Sequence, residues 1–265
     1  MNHLYMASTL CWSYKMEDVL QIAKRFKFAG VEVWADHFWH HGSDPRQVNQ
    51  IRENLGLDLT MHAASWDINI TALNDGIRRQ SIGEIKRSID LASEIGANNI
   101  TLHPGKMTLT TLEKSIFIDL LLESLQVLSN YAKEKGATLS LELMEAIPKE
   151  FIISPNAINR ITEGFHPYLQ TTFDVAHISL KQDPFQQFRQ TLHINKIHIS
   201  DVNEQQLHIP LGDGLLGANT LKHFLQIKDA PVVIEGFDRS VAFICLRRNL
   251  QYIEAVLIRK EEAII

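Results

Sequence analysis

The sequence is short of several things, and each shortage removes a class of protein. Among its 265 residues there are only two cysteines, Cys11 and Cys245, too few for a disulfide framework. Its 13 glycines and 8 prolines are neither periodic nor clustered, which excludes a collagen-like or low-complexity chain. No apolar run approaches the roughly 18 residues needed to span a bilayer. The opening stretch MNHLYMASTLCWSYK has neither the charged start nor the apolar stretch of a signal peptide. There is no excess of positive charge: 26 Lys and Arg stand against 31 Asp and Glu, a formal net of −5. That balance gives no global pull toward nucleic acid or an anionic membrane. The expectation is a reduced, cytoplasmic, soluble protein whose partner is neither a membrane nor a nucleic acid.

What is present points to a folded enzyme-sized body. With 45% hydrophobic and 22% charged residues, a chain of this length buries most of its unfolded surface. Short strand-like runs alternate with longer stretches of helical period from end to end, the pattern of an α/β fold with parallel strands. The strands are expected at His3–Ser8, Val31–Trp34, Asp58–His62, Asn99–His103, Thr138–Glu142, Gln170–Asp174, Lys196–Ile199 and Val232–Glu235. Helices are expected at Met16–Phe26, Pro45–Leu55, Ile77–Ile95, Leu112–Lys135, Asn156–Thr162, Pro184–Leu192, Asn219–Ile227 and Ser240–Lys260. Gly56, Gly96 and Gly136 stand just after three of these helices, and Ser154-Pro155 opens another, as helix stop and start signals do. Eight β/α units in this length match a closed (β/α)₈ TIM barrel, residues 1–265 as one domain. A doubly wound open sheet is the competing arrangement.

Side chains alternate faces along a strand, so each strand has an inward and an outward parity. From the third strand to the eighth, one parity is apolar: Leu59 and Met61, Ile100 and Leu102, Leu139 and Leu141, Ile197 and Ile199, Val232 and Ile234. The sixth strand, with Thr171 and Phe173, follows this only by half. The other parity ends in a ligand-type residue each time: His62, His103, Glu142, Asp174, His198 and Glu235. In a barrel that parity meets at the C-terminal face, where active sites are built. A lone histidine in a strand is ordinarily a hydrogen-bonded structural residue, and a lone Glu142 could lie on an edge strand. Six in register are different, because burying so many carboxylates and imidazoles together is costly unless they are paired or hold a cation. His177 and His208 follow at short range on the loops after the sixth and seventh strands. Carboxylates mixed with imidazoles and no thiolate suit Mn²⁺, Zn²⁺, Fe²⁺ or Co²⁺ better than Ca²⁺.

At these residues the chain resembles the xylose-isomerase-like TIM barrels, a superfamily of sugar and sugar-phosphate isomerases and epimerases that also includes the apurinic/apyrimidinic endonuclease IV branch. The resemblance runs through GVEVW (Gly30–Trp34), LHPG (Leu102–Gly105), LSLELMEA (Leu139–Ala146), TFDVAH (Thr172–His177), KIHISD (Lys196–Asp201), HIPLGDG (His208–Gly214) and VVIEG (Val232–Gly236). It implies that Glu142, Asp174, His198 and Glu235 are metal ligands, that Glu142 and Glu235 are also the acid/base pair, and that His177 contacts substrate. The reaction implied is isomerisation or epimerisation of a small carbohydrate, a sugar, sugar phosphate or related polyol-ketone, through an enediolate. A homo-oligomer, dimer or tetramer, is compatible with the superfamily.

The endonuclease branch uses the same positions together with those matching His62, His103, His177 and His208 to hold three zinc ions. That alternative, phosphodiester cleavage at abasic DNA, meets departures here. Gln206 stands where that branch has Asp, LELMEA replaces LENTAG, and DVAHISL replaces a TCH-type signature. A third reading is a barrel that has lost its chemistry and only binds a ligand.

Weaker features surround this set. Lys106, Lys149 and Arg239 are available to an anionic substrate group, or are solvated surface. His37, His40 and His41 fall on the expected loop after the second strand, at the pocket rim or in solvent. Trp12, Trp34, Trp39 and Trp66 could wall a sugar ring or pack a core. Leu211–Gly214 is a glycine-rich loop where barrels often hold phosphate, or simply a turn.

Overall fold

Each short β-branched and apolar run pairs in parallel with the next along the chain. The computed structural model describes residues 3–258. Its strands are β1 (Leu4–Ala7), β2 (Gly30–Trp34), β3 (Asp58–His62), β4 (Asn99–Leu102), β5 (Thr138–Glu142), β6 (Leu169–Asp174), β7 (Ile194–Ile199) and β8 (Val232–Ile234). They run in sequence order, and β8 returns to β1 through the register Leu4 with Val232 and Met6 with Ile234. The sheet is therefore a closed barrel, which settles the choice against an open doubly wound sheet. At Gly30 only a glycine fits: a Cβ there would collide with the Tyr5 ring and the Asp58 carbonyl.

The helices among the described residues are α1 (Met16–Arg25), α2 (Ala35–His40), α3 (Pro45–Leu55), α4 (Asp75–Ile95), α5 (Lys114–Glu134), α6 (Pro155–Thr162), α7 (Pro184–Gln190), α8 (Ala218–Leu225) and α9 (Ile244–Ile258). Side-chain caps fix the starts of α3, α4, α6 and α7. Asp44 accepts from the Arg46 amide at 2.9 Å and Asn74 from the Ile77 amide at 3.1 Å, while prolines at 45, 155 and 184 open α3, α6 and α7. The expected last helix continued to Lys260; Arg259 and Lys260 lie outside the described residues. No described helix is long and apolar enough to cross a membrane.

One element departs from expectation. The segment after β2, read as a loop, is the short helix α2, which buries Phe38 and His37. His40 is exposed, whereas His37, and His41 just after the helix, turn inward. His37 stacks on Trp12 at 4.7 Å and its Nε2 meets the Tyr14 carbonyl at 2.9 Å, while His41 Nε2 meets the Trp12 carbonyl at 2.6 Å. They hold Trp12 from behind.

The parity rule decides where the core sits. Outward residues such as Val31, Met61, Ile100, Leu141, Phe173, Ile197 and Ile234 pack against Ile89, Leu125, Ile158 and Phe224 from the helices in one apolar shell. Truncating a buried Leu or Ile of this shell to Ala costs about 2–5 kcal/mol. Inside the barrel the filling is split. Tyr5, Ala7, Trp34 and Val233 form a small apolar cluster. Opposite them, Thr101, Ser140 and Thr172 link hydroxyls, Thr101 to Thr172 at 2.9 Å and Ser140 to Thr172 at 2.6 Å, beside the buried Lys196 and Glu32.

Candidate metal centre

The inward parity delivers its ligands to one end of the barrel. Glu142 and Asp174 are the last residues of β5 and β6, His198 is next to last in β7, and Glu235 directly follows β8. Cα register places Asp174 beside His198. Glu142, Asp174, His198 and Glu235 are all buried, and each offers one ligand atom within 4.8 Å of the others. His198 Nδ1 lies 3.2 Å from Glu142 and 3.0 Å from Glu235.

This donor set fits a divalent cation. Glu142 Oε2, Asp174 Oδ2 and Glu235 Oε2 are buried oxygens with no hydrogen-bond donor, and three such carboxylates in one place are unfavourable without positive charge among them. Burial, with Glu235 and Glu142 nearby, pushes Asp174 up to about 6 against the pull of His177 and His208. Burial also acts to raise Glu235, but His208 and His198 outweigh it and bring this carboxyl down to about 2. The carboxylates in turn draw protons onto the imidazoles. Burial would lower His177, yet Asp174 and Glu142 outweigh it and lift the ring to about 9. A divalent ion supplies the same positive charge and releases those nitrogens to act as ligands.

The rings are already oriented for that. His62 Nδ1 donates to the Ala63 carbonyl at 2.8 Å, which turns Nε2 toward Glu142 Oε2 at 3.6 Å. His177 Nδ1 donates to the Leu143 carbonyl at 2.9 Å and presents Nε2 to Asp174 at 3.4 Å and to Glu145 at 3.6 Å. His103 Nε2 reaches Glu142 at 3.0 Å. Two more metal-compatible groups result, His62 with His103 and Glu142, and Asp174 with His177 and His208. Glu142 and Asp174 are each shared with the central four. All eight histidines and carboxylates expected at the barrel mouth thus meet there.

The weaker candidates do not join them. Lys106 Nζ is paired with the buried Glu150 at 3.4 Å, and Lys149 and Arg239 are exposed. Trp39 lies under Arg87 at 3.9 Å, away from the mouth. The glycine-rich loop after β7 does not offer its amides to a phosphate. Asp201 takes them, with Oδ2 accepting from Gly212 and Gly214 at 3.0 Å each and Oδ1 from Leu216 at 3.1 Å and Val202 at 2.9 Å.

Beside Glu235 and His208 opens a cavity of about 480 Å³ walled by Trp34, Trp66, Leu207 and Phe237. Trp12 braces this wall, 5.0 Å from Trp66 and 5.1 Å from Phe237, and Trp34 stacks on His62 at 3.8 Å. No Lys or Arg lines it. One buried residue at the site escaped the sequence: Glu32 of β2, 2.8 Å from His198 Nε2 and 2.7 Å from Lys196 Nζ. The parity test extended to GVEVW would have found it, since Val31 and Val33 face the helices.

The family model described as xylose isomerase-like TIM barrel matches residues 20–261. An uncharacterized protein of Methanocaldococcus jannaschii, MJ1188, is 26% identical over 220 residues, covering 80% of this chain and 79% of that one. A probable endonuclease 4 of Staphylococcus aureus is 24% identical over 210 residues, 71% of this chain and 69% of that one. Among solved structures, a D-tagatose 3-epimerase-like protein superposes with a TM-score of 0.79 at 18% identity, covering 97% of this chain and 99% of the other. At that identity the likeness is one of fold.

Proposed function

Because the chain belongs to the xylose isomerase-like TIM barrel family, we propose that it is a divalent-metal-dependent isomerase or epimerase of a sugar, sugar phosphate or related polyol-ketone. One observation carries the reading. Two buried carboxylates, Glu142 and Glu235, flank His198 Nδ1 at 3.2 and 3.0 Å, and Glu235 also lines an open cavity with aromatic walls. Glu142, Asp174, His198 and Glu235 would hold the ion, whose Lewis acidity makes the C–H beside a bound carbonyl easier to ionise. Glu235 removes that proton, and Glu142 or His177 returns it. Trp34, Trp66 and Phe237 offer flat apolar faces to a sugar backbone and keep water from the exchanging carbon. The absence of Lys and Arg from the cavity lining favours the neutral members of the substrate class.

The test is hydrogen exchange. Metal-loaded protein in D₂O with a panel of ketoses and aldoses should place deuterium at one carbon next to the carbonyl of at least one sugar, read by proton NMR. A panel that remains fully protonated after prolonged incubation would remove the proposal.

A second reading, a zinc-dependent phosphodiesterase acting on abasic DNA, is favoured by one specific observation. The flanking groups His62–His103–Glu142 and Asp174–His177–His208 share ligands with the central four. Gln206, with an amide in place of a carboxylate, and an aromatic cavity lined by no Lys or Arg weigh against it. Elemental analysis separates the two: one ion per chain supports the isomerase, and two or three with incision of an abasic duplex support the nuclease.

A further inference from the structure

Glu32 and Lys196 are the costliest part of the barrel filling. Both are fully buried. Lys196 Nζ donates to Glu32 Oε1 at 2.7 Å and Thr101 Oγ1 at 3.0 Å, and reaches the carbonyls of Met61 and Asn99 at 3.3 Å each. A buried ion pair of this kind is often no more stable than apolar residues of the same size. Tyr5, Trp34 and Val233 fill the other half of the interior in that apolar way. Space filling therefore does not account for the pair.

The second oxygen of Glu32 does. It lies 2.8 Å from His198 Nε2, a charge contact not aligned as a hydrogen bond, on the side of the ring away from Glu142 and Glu235. His198 is in an awkward position among the histidines of the site. Its Nδ1 faces two carboxylates, Glu142 and Glu235, and both would welcome an N–H there. A ring protonated at Nδ1 cannot ligate an ion with that nitrogen. His62 and His177 have their protons held away from the site by backbone carbonyls. His198 needs a stronger acceptor behind it, and a carboxylate fixed by an ammonium supplies one.

We propose that the Glu32–Lys196 pair is a positioning device that keeps the His198 proton on Nε2 and leaves Nδ1 as a metal ligand, thereby setting the ion affinity of the centre. The inference rests on the reading of Glu142, Asp174, His198 and Glu235 as a divalent-ion site. Lys196 anchors Glu32 through the oxygen that His198 does not use and offsets its charge, so the carboxylate cannot swing away.

Two measurements test it. In the Zn²⁺-loaded wild type with ¹⁵N-labelled histidine, His198 should show a protonated Nε2 and a metal-shifted Nδ1; the reverse assignment overturns the proposal without any substitution. Glu32→Gln turns an amide NH₂ toward Nε2, and Co²⁺ affinity measured against a chromophoric chelator should fall about 10- to 100-fold. Glu32→Gln leaves a buried ammonium unpaired, so the double variant Glu32→Gln/Lys196→Met is measured alongside it. It should unfold at a temperature near that of the ion-free wild type and bind Co²⁺ as weakly as the single variant. A double variant with wild-type affinity overturns the proposal. A wild type that binds no Co²⁺ overturns the metal-site reading itself, a different result from equal binding by all three proteins.

Discussion

The two halves of the barrel interior are built from opposite materials. On the β4–β7 side, Thr101, Ser140, Thr172 and Lys196 form a hydrogen-bonded column beneath Glu142, Asp174 and His198. On the β8–β1–β2 side, Val233, Tyr5, Ala7 and Trp34 form an apolar plug whose upper edge opens into the aromatic cavity. The polar column gives buried charges the fixed partners they need. The plug leaves a surface without directed bonds, on which a ligand can be held by shape. Chemistry and recognition thus have separate supports, and substitutions on one side should leave the other's property in place.

The largest effect should come from the two carboxylates where the sides meet, Glu142 at the end of β5 and Glu235 directly after β8. Glu142→Gln and Glu235→Gln remove a proton-transfer group while keeping its shape, and kcat should drop about 10²- to 10⁴-fold with little change in the far-UV circular dichroism spectrum. Retention of full turnover by either variant would break the assignment and, with it, the division of labour.

Next in size is a pH effect on the aromatic side. Burial, then His41 and His40, lower His37 to about 4 from 6.5, against the backbone contacts that raise it. A histidine depressed in the folded state binds its proton more readily when unfolded, so stability is lost as pH falls from 6.5 toward 4 and is intact above that window. The shift corresponds to about 3 kcal/mol. Urea unfolding at pH 7, 5 and 4 should therefore show a steeper loss for the wild type than for His37→Gln. Equal losses would sever α2 from the support of Trp12.

Removing ions should single out the polar side. Chelated protein should gain about 2.7 kcal/mol when Zn²⁺ or Mn²⁺ is added to a hundred times its dissociation constant, as read by thermal unfolding. Trp66→Ala should keep the whole of that gain and Glu142→Gln should lose most of it. The smallest effect belongs to Trp66→Ala in the assay: losing an aromatic face worth about 0.5–1.5 kcal/mol raises KM roughly 2- to 12-fold and leaves kcat nearly unchanged.

Sequence pattern carried much of this architecture because barrel strands obey a strict alternation. Glu142, His198 and Glu235 were legible since each is the polar end of a strand whose other parity is apolar, and Asp174, whose strand has Thr171 and Phe173 on that parity, followed from its register with them. Glu32 was passed over because the parity was followed only from the third strand onward, and its inward neighbour Trp34 does not mark a polar parity as Thr60 or Ser140 do. Helix α2 was missed for its length: six residues are under two turns, too few for a 3.6-residue period to emerge. The loop Leu211–Gly214 looked like an anion cradle because its glycines are local and visible, whereas the group that claims their amides, Asp201, comes from the end of β7.

That carboxylate has a consequence for selectivity. Asp201 is an anion tethered to the chain, so at the amides of Val202, Gly212, Gly214 and Leu216 it competes as a resident ligand. Short tethers give effective concentrations on the order of millimolar or higher, and the translational entropy a free ligand loses on binding is not lost when the resident returns. A free phosphate arriving at this loop must displace a carboxylate that never diffuses away, so these four amides are not open to an anion while Asp201 holds them.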